Sequence, residues 1–284
     1  MEYFDSHAHL DFLDSDSARA KVLSRAEAAH VTRVVVPGCF PKQWRTLEQL
    51  ISSRFGLTEE CSLIIRVGIG FHPYWSSDVR LKKPGALDVL LADIEHHVSR
   101  LSAVAVGEMG LDKNKGAPPQ KQTELFEAQL SLAKQLSLPV IVHQVGLRRE
   151  FIASMQRVGL SAAGGVVHGF SGDVGWGKKL CQLGFFLGMG AGIVHPARDR
   201  FRQAVAQLPL DRMFLETDAP DGHFFPVQTK DMDSRARYAD VSTAYGSEPR
   251  DVTLVAQQLA QLLNTSTHEI ARVTCNNARA LFGF

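Results

Sequence analysis

The sequence predicts an α/β protein, a closed eight-stranded (β/α)8 TIM barrel forming one domain over residues 1–284. Three observations predict it. Short apolar or β-branched runs alternate with longer stretches of helical spacing, the pattern of a parallel sheet whose strands are buried on both faces. A chain of 284 residues is long enough for one such barrel. Histidines and carboxylates fall at, or just past, the C-terminal ends of the apolar runs, the end at which barrel enzymes carry their chemistry. A doubly wound open sheet shares the periodicity. Only closure, however, brings strands 1, 4, 5, 6 and 8 around one point.

Glu2–Asp5 is the first expected strand and runs into Ser6-His7-Ala8-His9. Ala18–His30 has helical spacing and leads to a second strand at Thr32–Val36. A helix over Pro41–Phe55 and a strand over Leu63–Ile69 follow, the strand ending in Gly70-Phe71-His72-Pro73. Ala103–Gly107 is the fourth strand, with Glu108 directly after five small or apolar residues. In the segment Gln120–Leu136, Leu125, Leu132 and Leu136 share one stripe of a helix. Pro139–His143, Gly165–His168 and Phe185–Gly188 supply strands five to seven, Arg198–Gln207 a further helix, and Arg212–Glu216 the last strand. No internal repeat, low-complexity tract or linker interrupts the series. The stretch from Asp218 to about Ser247 is rich in Asp, His, Phe, Tyr and Arg and reads as a long loop walling a substrate site.

Lys and Arg total 31 against 30 Asp and Glu, a formal net charge of +1. Bulk charge therefore excludes neither nucleic-acid nor small-molecule substrates, and any phosphate-binding surface must be local. The four cysteines, Cys39, Cys61, Cys181 and Cys275, have no C-x-x-C spacing and read as free thiols in a reducing compartment. The N-terminal residues carry no basic segment followed by an apolar stretch, so neither a signal peptide nor a membrane span is expected and the expected location is cytoplasmic. Oligomeric state is left open.

The chemistry concentrates in a few side chains. Alternate residues of a strand point to one side, so His7 and His9 aim two imidazoles at one point. A lone H-x-H is common on surfaces; this one ends an apolar strand. Glu108, after its apolar run, is costly to bury unless a metal or an arginine satisfies it. Asp218, after Met213-Phe214-Leu215, follows the same logic. An N-cap role competes for both, weakened at Asp218 by the turn-like Ala219-Pro220-Asp221-Gly222. His143 and His168 each close an apolar run. Taken together, these six residues point to a divalent-metal site. His72 could be a ligand, a substrate contact or a turn residue, and a substrate contact or a place behind the ligands is favoured; His223 is the histidine that follows closely on Asp218.

The motifs Asp5-Ser6-His7-Ala8-His9-Leu10-Asp11, Gly70-Phe71-His72-Pro73, Val106-Gly107-Glu108-Met109-Gly110-Leu111-Asp112, Pro139-Val140-Ile141-Val142-His143, Val166-Val167-His168-Gly169-Phe170-Ser171-Gly172 and Leu215-Glu216-Thr217-Asp218-Ala219-Pro220 occur in this order. In this they resemble the TatD family of metal-dependent hydrolases, within the amidohydrolase-like barrels. The ending Asn276-Asn277-Ala278-Arg279-Ala280-Leu281-Phe282 is also similar. The resemblance implies two divalent cations (Zn²⁺, Mn²⁺ or Mg²⁺). His7, His9 and Asp218 would hold one, His143 and His168 the other, with Glu108 bridging. Two such ions lie ~3.5–4 Å apart and activate a water for attack. In this reading Asp218 and Glu108 are also catalytic. The family includes 3′→5′ deoxyribonucleases acting on single strands and proteins that remove D-amino acids from tRNA. This chain departs from the family pattern at Gln144-Val145-Gly146-Leu147, at Lys113-Asn114-Lys115 and at Ser247, all outside the ligand set.

Three functions follow as expectations. The first is a DNA phosphodiesterase, for which Lys113, Lys115, Arg148, Arg149, Arg198 and Arg200 would supply cations at the mouth. There Phe224 and Phe225 would stack bases or simply pin their loop. The second is a hydrolase of carboxylic esters or amides, including D-aminoacyl-tRNA or a small metabolite. The third is a non-enzymatic scaffold, against which the complete ligand set argues.

Overall fold

The computed structural model describes residues 1–52, 63–222, 224 and 246–284. The expected loop after Asp218, with His223 and Phe225, lies largely outside them, as does Cys61. The eight strands are β1 (Tyr3–Asp5), β2 (Val31–Gly38), β3 (Ile64–Ile69), β4 (Ala105–Asp112), β5 (Val140–Val145), β6 (Gly165–Val167), β7 (Phe185–Met189) and β8 (Met213–Leu215). They pair in sequence order, every pair parallel. The ends of the sheet meet just past β1 and β8. Ser6 N donates to Leu215 O at 3.0 Å, Asp218 N donates to His7 O at 2.8 Å, and Ala8 bridges Ala219. The barrel expected from the sequence is the architecture observed.

Among the described residues the helices are α1 (Asp16–Ala28), α2 (Pro41–Ser52), α3 (Ala86–Arg100), α4 (Pro119–Gln135), α5 (Arg148–Arg157), α6 (Val174–Gln182), α7 (Ala191–Val194), α8 (Asp199–Val205), α9 (Val252–Leu262) and α10 (Thr267–Phe282). The first begins earlier than its apolar spacing suggests, because the Ser15 hydroxyl caps it by accepting from Ala18 N at 3.2 Å. It stops before His30, whose left-handed φ of 62° ends the helix and whose carbonyl accepts from Tyr3 N. None of the described helices is long and apolar enough to cross a membrane.

Lumen and outer layers divide the core. Phe4, Val35, Ala105, Ile141, Val166 and Phe214 face one another inside the barrel and pack on Cys275, Ala278, Leu281 and Phe282 of α10. The C-terminal helix thus plugs the N-terminal end of the barrel. The opposite end stays open for polar side chains. Strand periodicity carries the lumen face from Ile141 to His143 and from Val166 to His168.

The difference from expectation that matters most to the site is in β4. β4 does not end at Gly107 but continues to Asp112, and its register against β5 shifts between Val106 and Met109. This bulge sits at Gly107, where φ is +147° and a Cβ would collide with the Ile141 carbonyl, so glycine alone allows the approach. Glu108 therefore stands inside the strand, and His143 inside β5 rather than at its end.

The turn after β4 is tied down by one side chain from α4. Gln122 Oε1 accepts from Asp112 N at 2.8 Å, and its Nε2 donates to the carbonyls of Asp112, Lys115 and Ala117 at 2.9, 2.9 and 2.7 Å. Gln122 is 2% exposed, so its loss leaves several polar backbone groups without partners. Gln122→Ala is expected to lower stability by about 2–4 kcal/mol, read as a fall in the urea midpoint with an unchanged slope. A midpoint within error of the parent would show that the turn holds itself.

Candidate metal centre

Glu108 lies at the centre of the open end, 2% exposed, and its two carboxylate oxygens face two different groups of donors. Oε2 is 3.4 Å from His7 Nε2 and 3.6 Å from His9 Nε2. Oε1 is 2.8 Å from His168 Nε2, 3.4 Å from His143 Nδ1 and 3.3 Å from His72 Nε2. Asp218 Oδ1 completes the first group, 3.6 Å from both His7 and His9. The first-group histidines are themselves 3.3 Å apart between their Nε2 atoms, and His143 Nδ1 is 3.2 Å from His168 Nε2.

These spacings fit a bound cation. Ligands at about 2.1 Å around a tetrahedral ion stand roughly 3.4 Å from one another, and the separations within the first group run from 3.3 to 3.6 Å. Convergence of so many acceptors in a buried pocket is unfavourable without positive charge between them. Burial, and then the charge of His168, pushes His7 down to about 4, and burial followed by His7 does the same to His9. Both rings are then neutral and offer lone pairs. Burial opposes ionisation of Glu108, but the imidazoles of His168, His72 and His7 outweigh it and hold the carboxyl well below its usual range.

Tautomers sort the histidines by role. His143 Nε2 donates to Asp112 Oδ2 at 2.8 Å, which leaves Nδ1 as an acceptor facing Glu108 and His168. A carboxylate behind a ligating imidazole is how metal sites fix ring orientation and raise ligand basicity. His72 is the reverse case: its Nδ1 accepts from Tyr74 N at 3.1 Å, so the neutral ring carries its proton on Nε2, facing the centre. Asp5 braces the closure point. Its Oδ1 accepts from His7 N and Thr217 N at 3.2 and 3.0 Å, and its Oδ2 from the Thr217 hydroxyl at 2.6 Å.

A model of the TatD related DNase family matches residues 4–283. The chain belongs to the TatD family. YabD, a metal-dependent hydrolase of Bacillus subtilis (strain 168), is 30% identical over 281 residues, spanning 98% of this chain and 98% of YabD. The 3′-5′ ssDNA/RNA exonuclease TatD of Pantoea vagans (strain C9-1) is 27% identical over 281 residues, 98% of each chain. The crystal structure of YjjV, the TatD homologue of Escherichia coli K12, superposes with a TM-score of 0.80 at 30% identity, covering 99% of this chain and 98% of YjjV. The solved YjjV structure shares the whole barrel with this TatD-family chain.

The five other expected ligand residues and His72 meet around Glu108. Four neighbours of this TatD-family centre escaped the sequence reading. Asp112 and Glu108 are four apart on one strand and so share a face, a signal hidden by ending the strand too early. Asp5 was absorbed into its strand. Glu216, 1% exposed, accepts from Gly169 N at 2.5 Å beside His168. Cys39, just past β2, places Sγ 3.5 Å from Glu108 Oε2.

The expected surface residues are distributed unevenly. Lys113 and Arg148 line a cavity of about 350 Å³ with Gln144 and Trp176, and Arg148 is paired with Asp173 at 2.8 Å. Arg198 and Arg200 line a neighbouring cavity of about 770 Å³ that shares Ser171 and Gly172 with the first. Lys115 Nζ sits 4.4 Å from the Tyr74 ring centre, and Arg149 is exposed on α5. Phe224 is 6% exposed and packed in the core, where its ring is not available to stack a base.

Asp112→Asn is expected to weaken metal affinity about 10–100-fold while leaving the barrel folded. Titration with a chromophoric chelator reads the change. An unaltered affinity would mean that His143 needs no carboxylate behind it.

Proposed function

We propose that this protein is a divalent-metal-dependent phosphodiesterase that removes nucleotides from the 3′ end of single-stranded DNA. The observation that carries the reading is the division of donors between the two oxygens of Glu108. In this reading His7, His9, Asp218 and Glu108 hold one divalent cation, and His143, His168 and Glu108 hold a second. Zn²⁺, Mn²⁺ and Mg²⁺ are all admitted by imidazole and carboxylate donors. Bound ions supply a water acidified towards pKa ~7 and neutralise charge that builds on the phosphate.

The protein's own groups do the rest. Asp218, whose side chain is 38% exposed, faces the mouth and accepts the proton of the attacking water. His72 offers its Nε2 proton to a substrate oxygen, the tautomer being set by Tyr74 N. Phe12 stacks on His9 at 4.8 Å and is 39% exposed; Tyr74 and Trp75 are 39% and 44% exposed. Exposed rings beside a phosphate-cleaving centre suit unpaired bases, which stack on any aromatic face. The single-strand specificity named for the Pantoea vagans relative points the same way.

Hydrolysis of a carboxylic ester or amide, such as D-aminoacyl-tRNA or a small metabolite, is the competing reading. It is favoured by the balanced charge and by Asp173 neutralising Arg148. The deciding experiment is a paired assay with Mn²⁺, Mg²⁺ or Zn²⁺: labelled single-stranded DNA in one arm, carboxyl esters and D-aminoacyl-tRNA in the other. Shortening of DNA from its 3′ end, with binding that weakens steeply as salt rises, supports the nuclease. Acyl turnover without DNA cleavage overturns it.

A further inference from the structure

We propose that Cys39 is a ligand of the ion held by His9 and Glu108, and that its thiolate biases this site towards Zn²⁺ or Co²⁺ over Mg²⁺. The inference rests on the metal-centre part of the proposed function and not on the nuclease part. Cys39 is the first residue past β2, four residues on from the lumen-facing Val35, so an extended chain returns its side chain to the lumen. It is 5% exposed. Ligand atoms of His9, Cys39 and Glu108 all lie within 4.8 Å of one another, as do those of His7, His9 and Asp218. The Sγ to Oε2 separation of 3.5 Å matches the spacing of the other donors around that oxygen.

The position of the thiol is built. Cys39 N donates to Gln43 Oε1 at 2.5 Å, while Gln43 Nε2 donates to Asp11 Oδ2, also at 2.5 Å. Gln43, from the first turn of α2, is 4% exposed and therefore fixes the chain on which the sulfur is carried. A buried cysteine can be a plain hydrophobe. This one is aimed at a carboxylate and an imidazole instead. On coordination the Sγ–H bond breaks, its proton leaves to solvent, and the sulfur lone pair goes to the ion; no oxidant or reductant takes part. Soft sulfur ligands favour thiophilic metals, whereas Mg²⁺ takes oxygen.

The test uses the full chain, stripped with a chelator and reloaded with Co²⁺. A thiolate-to-cobalt charge-transfer band in the near ultraviolet is expected in the parent and in Cys181→Ser. It should be absent from Cys39→Ser and Cys39→Ala, although both still take up cobalt through their histidines. Zn²⁺ affinity should fall about 10-fold or more in the Cys39 variants, with Mg²⁺ affinity unchanged. If both variants misfold, X-ray absorption of the Zn²⁺-loaded parent serves alone, with a sulfur neighbour expected at about 2.3 Å. A cobalt-loaded parent without the band, a zinc shell without sulfur, or a band that persists in Cys39→Ala overturns the proposal. Sulfur ligation without DNA cleavage would leave Cys39 standing and remove the nuclease. DNA cleavage without sulfur ligation would do the opposite.

Discussion

Glu108→Gln is expected to abolish metal binding and to lower turnover on the order of 10³-fold or more, the scale of losing one preorganised charge-stabilising group. Among the described residues, the carboxylate of Glu108 is the one that faces both donor groups, with Oε2 towards His7 and His9 and Oε1 towards His143 and His168. An amide of the same shape offers one acceptor where two are needed and turns an N–H donor towards an imidazole. It also removes the charge that, against the opposition of burial, holds the His168 imidazole up at about 10. His168 then keeps only Glu216 and Asp218 to favour its charged form against burial, so the buried positive charge is less favoured. The variant should therefore be folded by circular dichroism yet bind little metal by elemental analysis. A variant with parental metal content and parental turnover would remove Glu108 from the centre of the mechanism.

Asp218→Asn should separate metal binding from proton transfer. The backbone at Asp218 is left-handed, with φ of +56°, a conformation that Asn tolerates as well as Asp does. The hydrogen bonds from Asp218 N to His7 O and from Gly222 N to Asp218 O involve no side-chain atom and survive the change. Asp218 Oδ1 stands 3.6 Å from both His7 and His9, so metal bound at this group of donors is expected to be held less tightly while two imidazoles and Glu108 remain. Turnover at saturating metal is expected to fall about 10²–10⁴-fold, the range for losing a positioned general base. Alanine at the same position adds about 1–2 kcal/mol of left-handed strain and is the poorer probe. Parental rates in Asp218→Asn with a full complement of metal would reassign the base.

Much of this centre is legible in the sequence. His7, His9, His143, His168, Glu108 and Asp218 each stand out because a polar or charged residue follows an apolar run, and burying it demands a partner. What surrounds them was less legible for definite reasons. Asp112 is invisible as a partner of His143 when β4 is ended at Gly107; the bulge that extends the strand depends on contact with Ile141 of the next strand. The tautomer of His72 depends on a turn that presents Tyr74 N to it. Phe224 looks like a surface aromatic in a polar stretch, but burial in the core consumes it. Cys39 carried no signal, because a cysteine without a C-x-x-C partner reads as inert until closure places it beside Glu108.

The sequence by itself determined the order of the strands, the end of the barrel that carries the chemistry and the identity of the expected ligands, because hydrophobic periodicity and residue type are local properties of the chain. The tertiary structure decided which oxygen of Glu108 faces which histidines, which ring nitrogen each histidine presents, and that the Cys39 thiol lies beside Glu108. Those are separations of a few ångströms across the lumen, set by register, bulge and closure between segments as far apart as His7 and Asp218. No local pattern encodes such distances.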